Sequence, residues 1–144
     1  MNISSSIFSK NKDSLHEPAL KINEHTISYK ELFDKALIIA SFLVNNGASN
    51  ETIGIVGQRK FSSYIGLLGI LFSGCSFTPI NPKYNKTRIN STIKSSNIRF
   101  LVGDSSDIEK LDKDILSGMH LLIAPFSPQS DLSNCKWIHQ NTST

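Results

Sequence analysis

The chain has 144 residues but only two cysteines, and it contains no long apolar run. Cys75 and Cys135 lie far apart, and Cys75 stands among apolar residues, so a buried free thiol in a reducing compartment is favoured over a disulfide. The longest apolar stretch, YIGLLGILF, is too short to span a bilayer, and the N-terminal MNISSSIFSKNKD lacks the apolar segment of a secretory signal. These absences predict a cytoplasmic protein without a membrane partner.

A strong charge of either sign is also lacking. The net charge of +3 comes from 15 basic and 12 acidic residues scattered along the chain. Without a basic stripe there is no electrostatic footprint for DNA or RNA, and we expect no nucleic-acid partner. Hydrophobic residues make up 39% and charged residues 19% of the sequence, which is typical of a folded globular protein of one domain.

No catalytic, cofactor-binding or metal-ligating residue can be assigned from local patterns. The four histidines, His16, His25, His120 and His139, have no partner four residues away and no cysteine at ligand spacing. Asp104 and Asp107 follow a predicted strand at a helix start, where complementing the helix dipole is favoured over paired-carboxylate catalysis.

The loop after the first predicted parallel strand is a further candidate. Gln58, Arg59 and Lys60 occupy positions where a dinucleotide-binding loop needs glycine, so a helix start is favoured over phosphate binding. Arg59 and Lys60 remain positive charges near the carboxyl ends of the strands, where open α/β sheets commonly bind ligands.

The N-terminal third predicts a β-hairpin followed by a helix. PALKI and HTIS alternate apolar and polar residues around a turn at Asn23 and Glu24. Ser28 and Glu31 have the spacing of a capping box, with Ile27 and Leu32 as its hydrophobic staple, and Gly47 is a C-terminal stop. The predicted apolar face of this helix consists of Tyr29, Leu32, Phe33, Ala36, Leu37, Ala40, Leu43 and Val44.

Strands then alternate with helices. Strands are predicted at TIGIV, CSFTPI, IRFLVG and HLLIAP, with Pro79 closing the second of them. Helices are predicted from about Lys60 to Ser73, after a cap at Asn85, and through SDIEKLDKDIL with a capping box at Ser106 and Glu109. This order predicts an α/β fold, with a mostly parallel sheet, helices on both faces and an N-terminal β-hairpin. The predicted divisions are a polar leader at 1–17, an α/β subdomain at 18–125 and a polar linker or tail at 126–144.

Three segments in order, PALKI, ISYKEL and LFSGCSFTPINPKYNKTR, resemble the N-terminal part of adenylate-forming enzymes. That family includes nonribosomal peptide synthetase adenylation domains, acyl-CoA synthetases, D-alanine carrier-protein ligases and luciferases. Its first signature, Ser/Thr-Tyr-x-Glu-Leu, is met from Ser28 to Leu32. Its second, L-x-x-G-x-x-Y/F-x-P-L/I-D-P-x-Y-P-x-x-R, runs from Leu71 to Arg88. Asn81 replaces the usual acidic residue of the second signature, and Asn85 replaces its second usual proline.

The resemblance implies ATP-dependent activation of a carboxylic or amino acid, with magnesium. It places the phosphate loop, the Thr-Glu motif, the ribose-binding Asp and the catalytic Lys later in the family's chains, and nothing in Gly103 to Thr144 matches them. We therefore expect an N-terminal fragment without cofactors of its own, inactive alone, that is a truncation or a split half completed by a C-terminal fragment. A split would leave one sheet face apolar and exposed.

A carrier protein is the other partner that the resemblance implies. Two alternatives stay open: a non-catalytic interaction module that retains the fold, and an independent domain that binds a nucleotide or another small molecule.

Overall fold

The computed structural model describes residues 16–22, 24–57, 60–123 and 136–139. Strands β1 (Pro18–Ile22) and β2 (His25–Ser28) form the predicted antiparallel hairpin, with Ile22 opposite His25. Its register shifts between Pro18 and Leu20. The hairpin forms a two-stranded sheet of its own and leads directly into the first helix.

Helix α1 (Tyr29–Asn45) begins at the predicted cap. The Ser28 hydroxyl accepts a hydrogen bond from the backbone N–H of Glu31 at 3.2 Å, which satisfies a donor that the helix leaves unpaired. The Glu31 carboxylate accepts from that hydroxyl at 3.4 Å rather than from the backbone, so the reciprocal bond of a capping box is replaced. Gly47 ends the helix with a φ of +90°, a conformation that glycine adopts without steric cost.

The buried face of α1 is rotated from the predicted one. Leu37 and Val44 were expected in the core but are 46% and 54% exposed, whereas Ile39 is completely buried. Ile39 lies against Gly69 of the next helix, where a Cβ atom would come within 2.6 Å of the Ile39 side chain. Helix packing through this glycine therefore decides which apolar residues of α1 are covered.

The rest of the described chain forms one five-stranded sheet with helices between its strands. Its strand order is β4-β3-β5-β6-β7, and all neighbours are parallel except β6 and β7. The elements in chain order are β3 (Thr52–Val56), α2 (Phe61–Phe72), β4 (Ser76–Ile80), α3 (Lys86–Ser95), β5 (Phe100–Gly103), α4 (Ser105–Ile108), α5 (Lys113–Leu116), β6 (His120–Ile123) and β7 (Lys136–His139).

Two apolar clusters cover the two faces of this sheet. One joins α1 and α2 to Ile53, Ile55 and Phe100, and the other joins α3, α4 and α5 to Val56 and Leu101. Successive residues of a strand point to opposite faces, so strands buried on both faces have the continuous apolar sequences observed here. The predicted α/β class with helices on both faces is confirmed. Among the strand side chains that the structure describes, the apolar ones of β3 and β5 are covered, and Phe77 on the edge strand β4 is exposed.

The strand β4 continues through Pro79 to Ile80, so the prediction that this proline closes the strand is wrong. Ser76 N–H donates to Glu51 and Ile80 C=O accepts from Gly57, which places the ladder groups of β4 on alternate residues. Pro79 lies between these positions, with its nitrogen facing away from β3. Because β4 is an edge strand, no hydrogen bond is lost there.

The last predicted helix is divided, and its predicted cap is wrong. Asp104, rather than Ser106, caps α4, and Asp112 caps α5 by accepting from the N–H of Asp114 at 2.9 Å. Leu111 is buried between the two helices, in the same cluster as Ile108. The chain thus contributes Leu111 to the core at the point where α4 has ended and Asp112 caps α5.

The C-terminal region contains a strand that the polar pattern does not predict. The polar composition predicts a linker or tail at 126–144, but Lys136–His139 pair antiparallel with β6. Within the described ranges, no helix is long and apolar enough to cross a membrane.

Candidate functional site

Three strands end side by side at one edge of the sheet. Gly57 follows β3, Asn81 follows β4 and Asp104 follows β5, and because the strands are parallel these residues share the carboxyl edge. In open α/β sheets this edge is the usual place for ligands. It carries two features, a cluster of charges and a groove.

The charge cluster consists of Lys60, Asp104, Asp107 and Lys110. The Lys60 Nζ lies 3.3 Å from Oδ2 of Asp104 and 2.9 Å from Oδ2 of Asp107, and the Lys110 Nζ lies 3.5 Å from Oδ1 of Asp107. The two aspartates are 8% and 3% exposed. A carboxylate buried to this extent needs a cation, and the lysine side chains supply it.

Hydrogen bonds hold Asp104 in its charged form. Burial opposes its ionisation, but the backbone N–H of Asp107, the Ser106 hydroxyl and the Lys60 ammonium outweigh that effect, so the pKa of Asp104 is lowered. The bond to Asp107 also raises the pKa of Lys60. Lys60 therefore compensates the charge of the aspartates, which does not suit Asp104 and Asp107 to exchange a proton as an acid–base pair.

Gly57 is required where the cluster meets β3. Its φ is +97°, and a Cβ atom there would overlap Oδ2 of Asp107. The backbone of the loop thus approaches the buried carboxylate more closely than any other residue would permit.

The groove has a volume of about 370 Å³ and lies beside the charge cluster, between the end of β4 and α3. It is lined by Gly57, Thr78, Pro79, Ile80, Asn81, Tyr84, Arg88, Ile89 and Thr92. The Arg88 guanidinium stands over the Tyr84 ring, 3.6 Å from its centroid. This distance is that of a cation–π contact.

Both asparagines that depart from the family signature form the local structure of this groove. The Asn81 side chain accepts from the N–H of Lys83 at 2.9 Å, and the Asn85 side chain accepts from the N–H of Arg88 at 2.8 Å. They act as a turn residue and a helix cap, as expected from the hydrogen-bonding capacity of asparagine.

The structure assigns structural positions to several earlier candidates. Lys60 is bound to the two aspartates, while Gln58 and Arg59 lie outside the described residues. Cys75 is buried as predicted, and Cys135 lies outside the described residues. His120 stacks on Phe100 with ring centroids 4.8 Å apart. In the part of the chain that the structure describes, no three His, Cys, Asp or Glu side chains are grouped to hold a metal ion.

Sequence reasoning missed the groove. Tyr84 and Arg88 are four residues apart, a spacing that suits a ring and a cation near a helix start, and this signal could have identified the stacked pair. The contact of Lys60 with Asp104 spans 44 residues and has no local signal.

The fold is that of adenylate-forming enzymes. The chain superposes on the nonribosomal peptide synthetase FmoA3 with a TM-score of 0.80 at 19% identity, covering 94% of this chain and 14% of that one. It superposes on a benzoate CoA ligase from Burkholderia xenovorans LB400 with a TM-score of 0.77 at 18% identity, covering 100% and 30%. Identities this low establish the fold alone.

The sequence establishes the family. A family model for the AMP-binding enzymes matches residues 9–140, and the chain belongs to that family. It is 34% identical over 102 residues to bacitracin synthase 1 of Bacillus licheniformis, which is 69% of this chain and 2% of that synthase. The chain thus spans a small part of the length of its curated relatives, and the predicted resemblance is confirmed.

Proposed function

We propose that this chain supplies the N-terminal α/β part of an adenylate-forming ligase, which joins a carboxylic or amino acid to ATP and releases pyrophosphate. The observation that carries this proposal is the family match over residues 9–140. The fold and both sequence signatures support it, and the two asparagines that depart from the second signature still form a turn and a helix cap beside the groove.

We also propose that the chain does not catalyse adenylation alone. Developing phosphoryl charge must be stabilised by a cation and by oriented donors. The charge cluster does not fit this task, because Lys60 is bound to two buried carboxylates and those carboxylates are bound to lysines. ATP and magnesium are therefore proposed to bind only when other residues complete the enzyme.

The missing groups would come from a complementary piece. We define it as the polypeptide from the same genome that carries the phosphate loop, the Thr-Glu motif, the ribose-binding Asp and the C-terminal Lys. A carrier protein that receives the activated acid is a further proposed partner. The acid itself is set by pocket residues that the resemblance places in the complementary piece.

Exchange of radiolabelled pyrophosphate into ATP tests both proposals. The chain alone, the complementary piece alone and their mixture are compared over a panel of amino, aryl and fatty acids. We expect exchange only in the mixture and only with particular acids. Acid-dependent exchange by the chain alone would refute its inactivity, and a mixture that binds but never exchanges would refute the ligase assignment.

That last outcome would favour a non-catalytic interaction module. The observation that favours such a module is the apolar surface of α1, where Leu37, Ile38 and Val44 are all at least 40% exposed. Exposed apolar groups on one helix are typical of a surface that another protein covers. Ligase activity of the mixture would exclude this second candidate function.

A further inference from the structure

The region around the groove has an uneven charge distribution. No aspartate or glutamate occurs from Phe61 to Gly103, whereas five basic residues do: Lys83, Lys86, Arg88, Lys94 and Arg99. Lys86 pairs with two aspartates and Arg99 with Glu51. None of the ion pairs among the described residues involves the other three, and of those three only Arg88 lines the groove.

Arg88 is held in place despite its exposure. Its guanidinium is fixed over Tyr84, and its backbone N–H is fixed by the Asn85 cap. Thr92, one turn further along α3, also lines the groove and donates its hydroxyl to the Arg88 carbonyl at 3.1 Å. A pre-oriented guanidinium loses little conformational entropy on binding, and its fork matches the two oxygens of a carboxylate.

The groove suits a protein segment better than a small molecule. Pockets for small molecules bury most of the ligand, whereas Tyr84 on this rim is itself 42% exposed. Ile80 and Ile89 are buried apolar residues of the lining, and Thr78, Asn81 and Thr92 add polar groups. An occupant from a protein would cover the rim with its own backbone while placing an apolar side chain and a carboxylate inside.

We infer that the groove is a docking site for a carboxylate-bearing segment of the complementary piece, with Arg88 as its anchor. This inference rests on the proposed function. The charge of Arg88, which has no ion pair among the described residues, favours an anionic occupant. The proposed source of this occupant is the rest of the enzyme, because the chain covers only 14% of FmoA3 and 30% of the benzoate CoA ligase.

Binding of the purified complementary piece to the 144-residue chain tests the inference, with titration calorimetry as the readout. The variants are Arg88→Gln, Arg88→Lys and Lys94→Gln. Lys94 is the matched control, because it is an exposed cation on the same helix that does not line the groove. Circular dichroism of each variant confirms that the fold is retained.

We expect Arg88→Gln to weaken binding at least about tenfold, because a desolvated partner carboxylate would lose its charge pair. Arg88→Lys should also weaken binding, since an ammonium provides neither the fork nor the stacking. Lys94→Gln should bind within about twofold of the unmodified chain, as expected for a charge outside the contact. Equal affinities for the Arg88→Gln and Lys94→Gln variants would overturn the inference while leaving the proposed function intact.

Two further outcomes distinguish the complementary piece from a small anion as the occupant of the groove. Failure of the unmodified chain to bind the complementary piece would refute both the proposed completion and this occupant. NMR of the Arg88 Nε–H with inorganic phosphate as the probe supplies the other arm. A phosphate-induced shift equal to that caused by the complementary piece, and lost in Arg88→Gln, would identify a site for small anions and overturn the docking inference.

Discussion

Replacing Lys60 by methionine tests the role of the charge cluster. The substitution keeps most of the side-chain volume and removes the ammonium that contacts both aspartates. Asp104 keeps its bonds from Ser106 and from the Asp107 N–H, and Asp107 keeps Lys110 at 3.5 Å, so neither carboxylate becomes an isolated charge.

The size of the expected loss in stability follows from this geometry. Removing one member of a fully buried ion pair costs about 3–5 kcal/mol. The Lys60 side chain is 40% exposed, which screens its charge, and both aspartates keep other donors. We therefore expect Lys60→Met to lower the free energy of unfolding by about 1–2 kcal/mol at pH 7, which corresponds to a melting temperature lower by about 2–8 °C.

The pH dependence gives a second, independent readout. Because the pKa of Asp104 is lowered in the folded chain, its contribution to stability is complete above its unfolded pKa of about 3.9 and disappears as the pH falls through the folded value. Lys60→Met removes one cause of that lowering. The difference in stability between the two proteins should therefore shrink between about pH 5 and pH 2.

Urea unfolding followed by circular dichroism at several pH values measures both quantities. Lys86→Met is the matched control, because Lys86 also contacts two aspartates but all three side chains are at least 42% exposed. The control should change stability little. A loss for Lys60→Met that is no larger than the control's, or that is the same at pH 7 and pH 3, would refute our account of the cluster.

Three further predictions concern single residues. Gly57→Ala should lower the free energy of unfolding by more than the about 1–2 kcal/mol of a positive φ alone, because the new Cβ displaces a buried carboxylate. Gly47→Ala is its control: the φ is +90°, no atom lies within 4 Å of an added Cβ, and only the backbone cost should appear. Equal melting temperatures of the two variants would contradict this prediction. Burial opposes the ionisation of Glu51, but its hydrogen bonds from Arg99 outweigh that effect and lower the pKa of Glu51. In urea titrations, Glu51→Gln should therefore lower the free energy of unfolding by about 0.5–1 kcal/mol at pH 7, and by progressively less as the pH falls below about 4. Asn85→Ala removes the cap of α3 and should lower the free energy of unfolding by about 1 kcal/mol in the same assay; an unchanged stability would show that the cap bond contributes nothing.

Local rules predicted the elements whose determinants lie within a few residues. Ser28 and Asn85 cap helices where the sequence places them, and Gly47 has the positive φ of a helix end. The hairpin and the alternation of strands and helices also follow from local periodicity. The two family signatures could also be recognised, because each is a short segment whose residues form turns and helix caps.

Local rules failed where distant contacts decide the outcome. The buried face of α1 depends on a close approach at Gly69, and the break between α4 and α5 accompanies the burial of Leu111. The strand β7 exists by pairing with β6, and its four residues stand in a polar stretch. The periodicity of one segment carries no information about a packing or pairing partner that lies elsewhere in the chain.

The two parts of the candidate site differ in the same way. The sequence by itself determined the turn and helix cap beside the groove, because Asn81 and Asn85 bond to backbone groups two and three residues away. Only the tertiary structure decided that Lys60 neutralises Asp104 and Asp107, and that the groove opens beside Arg88. Parallel strands bring the ends of β3, β4 and β5 to one edge, and the buried carboxylates of Asp104 and Asp107 must be paired there because water no longer solvates them.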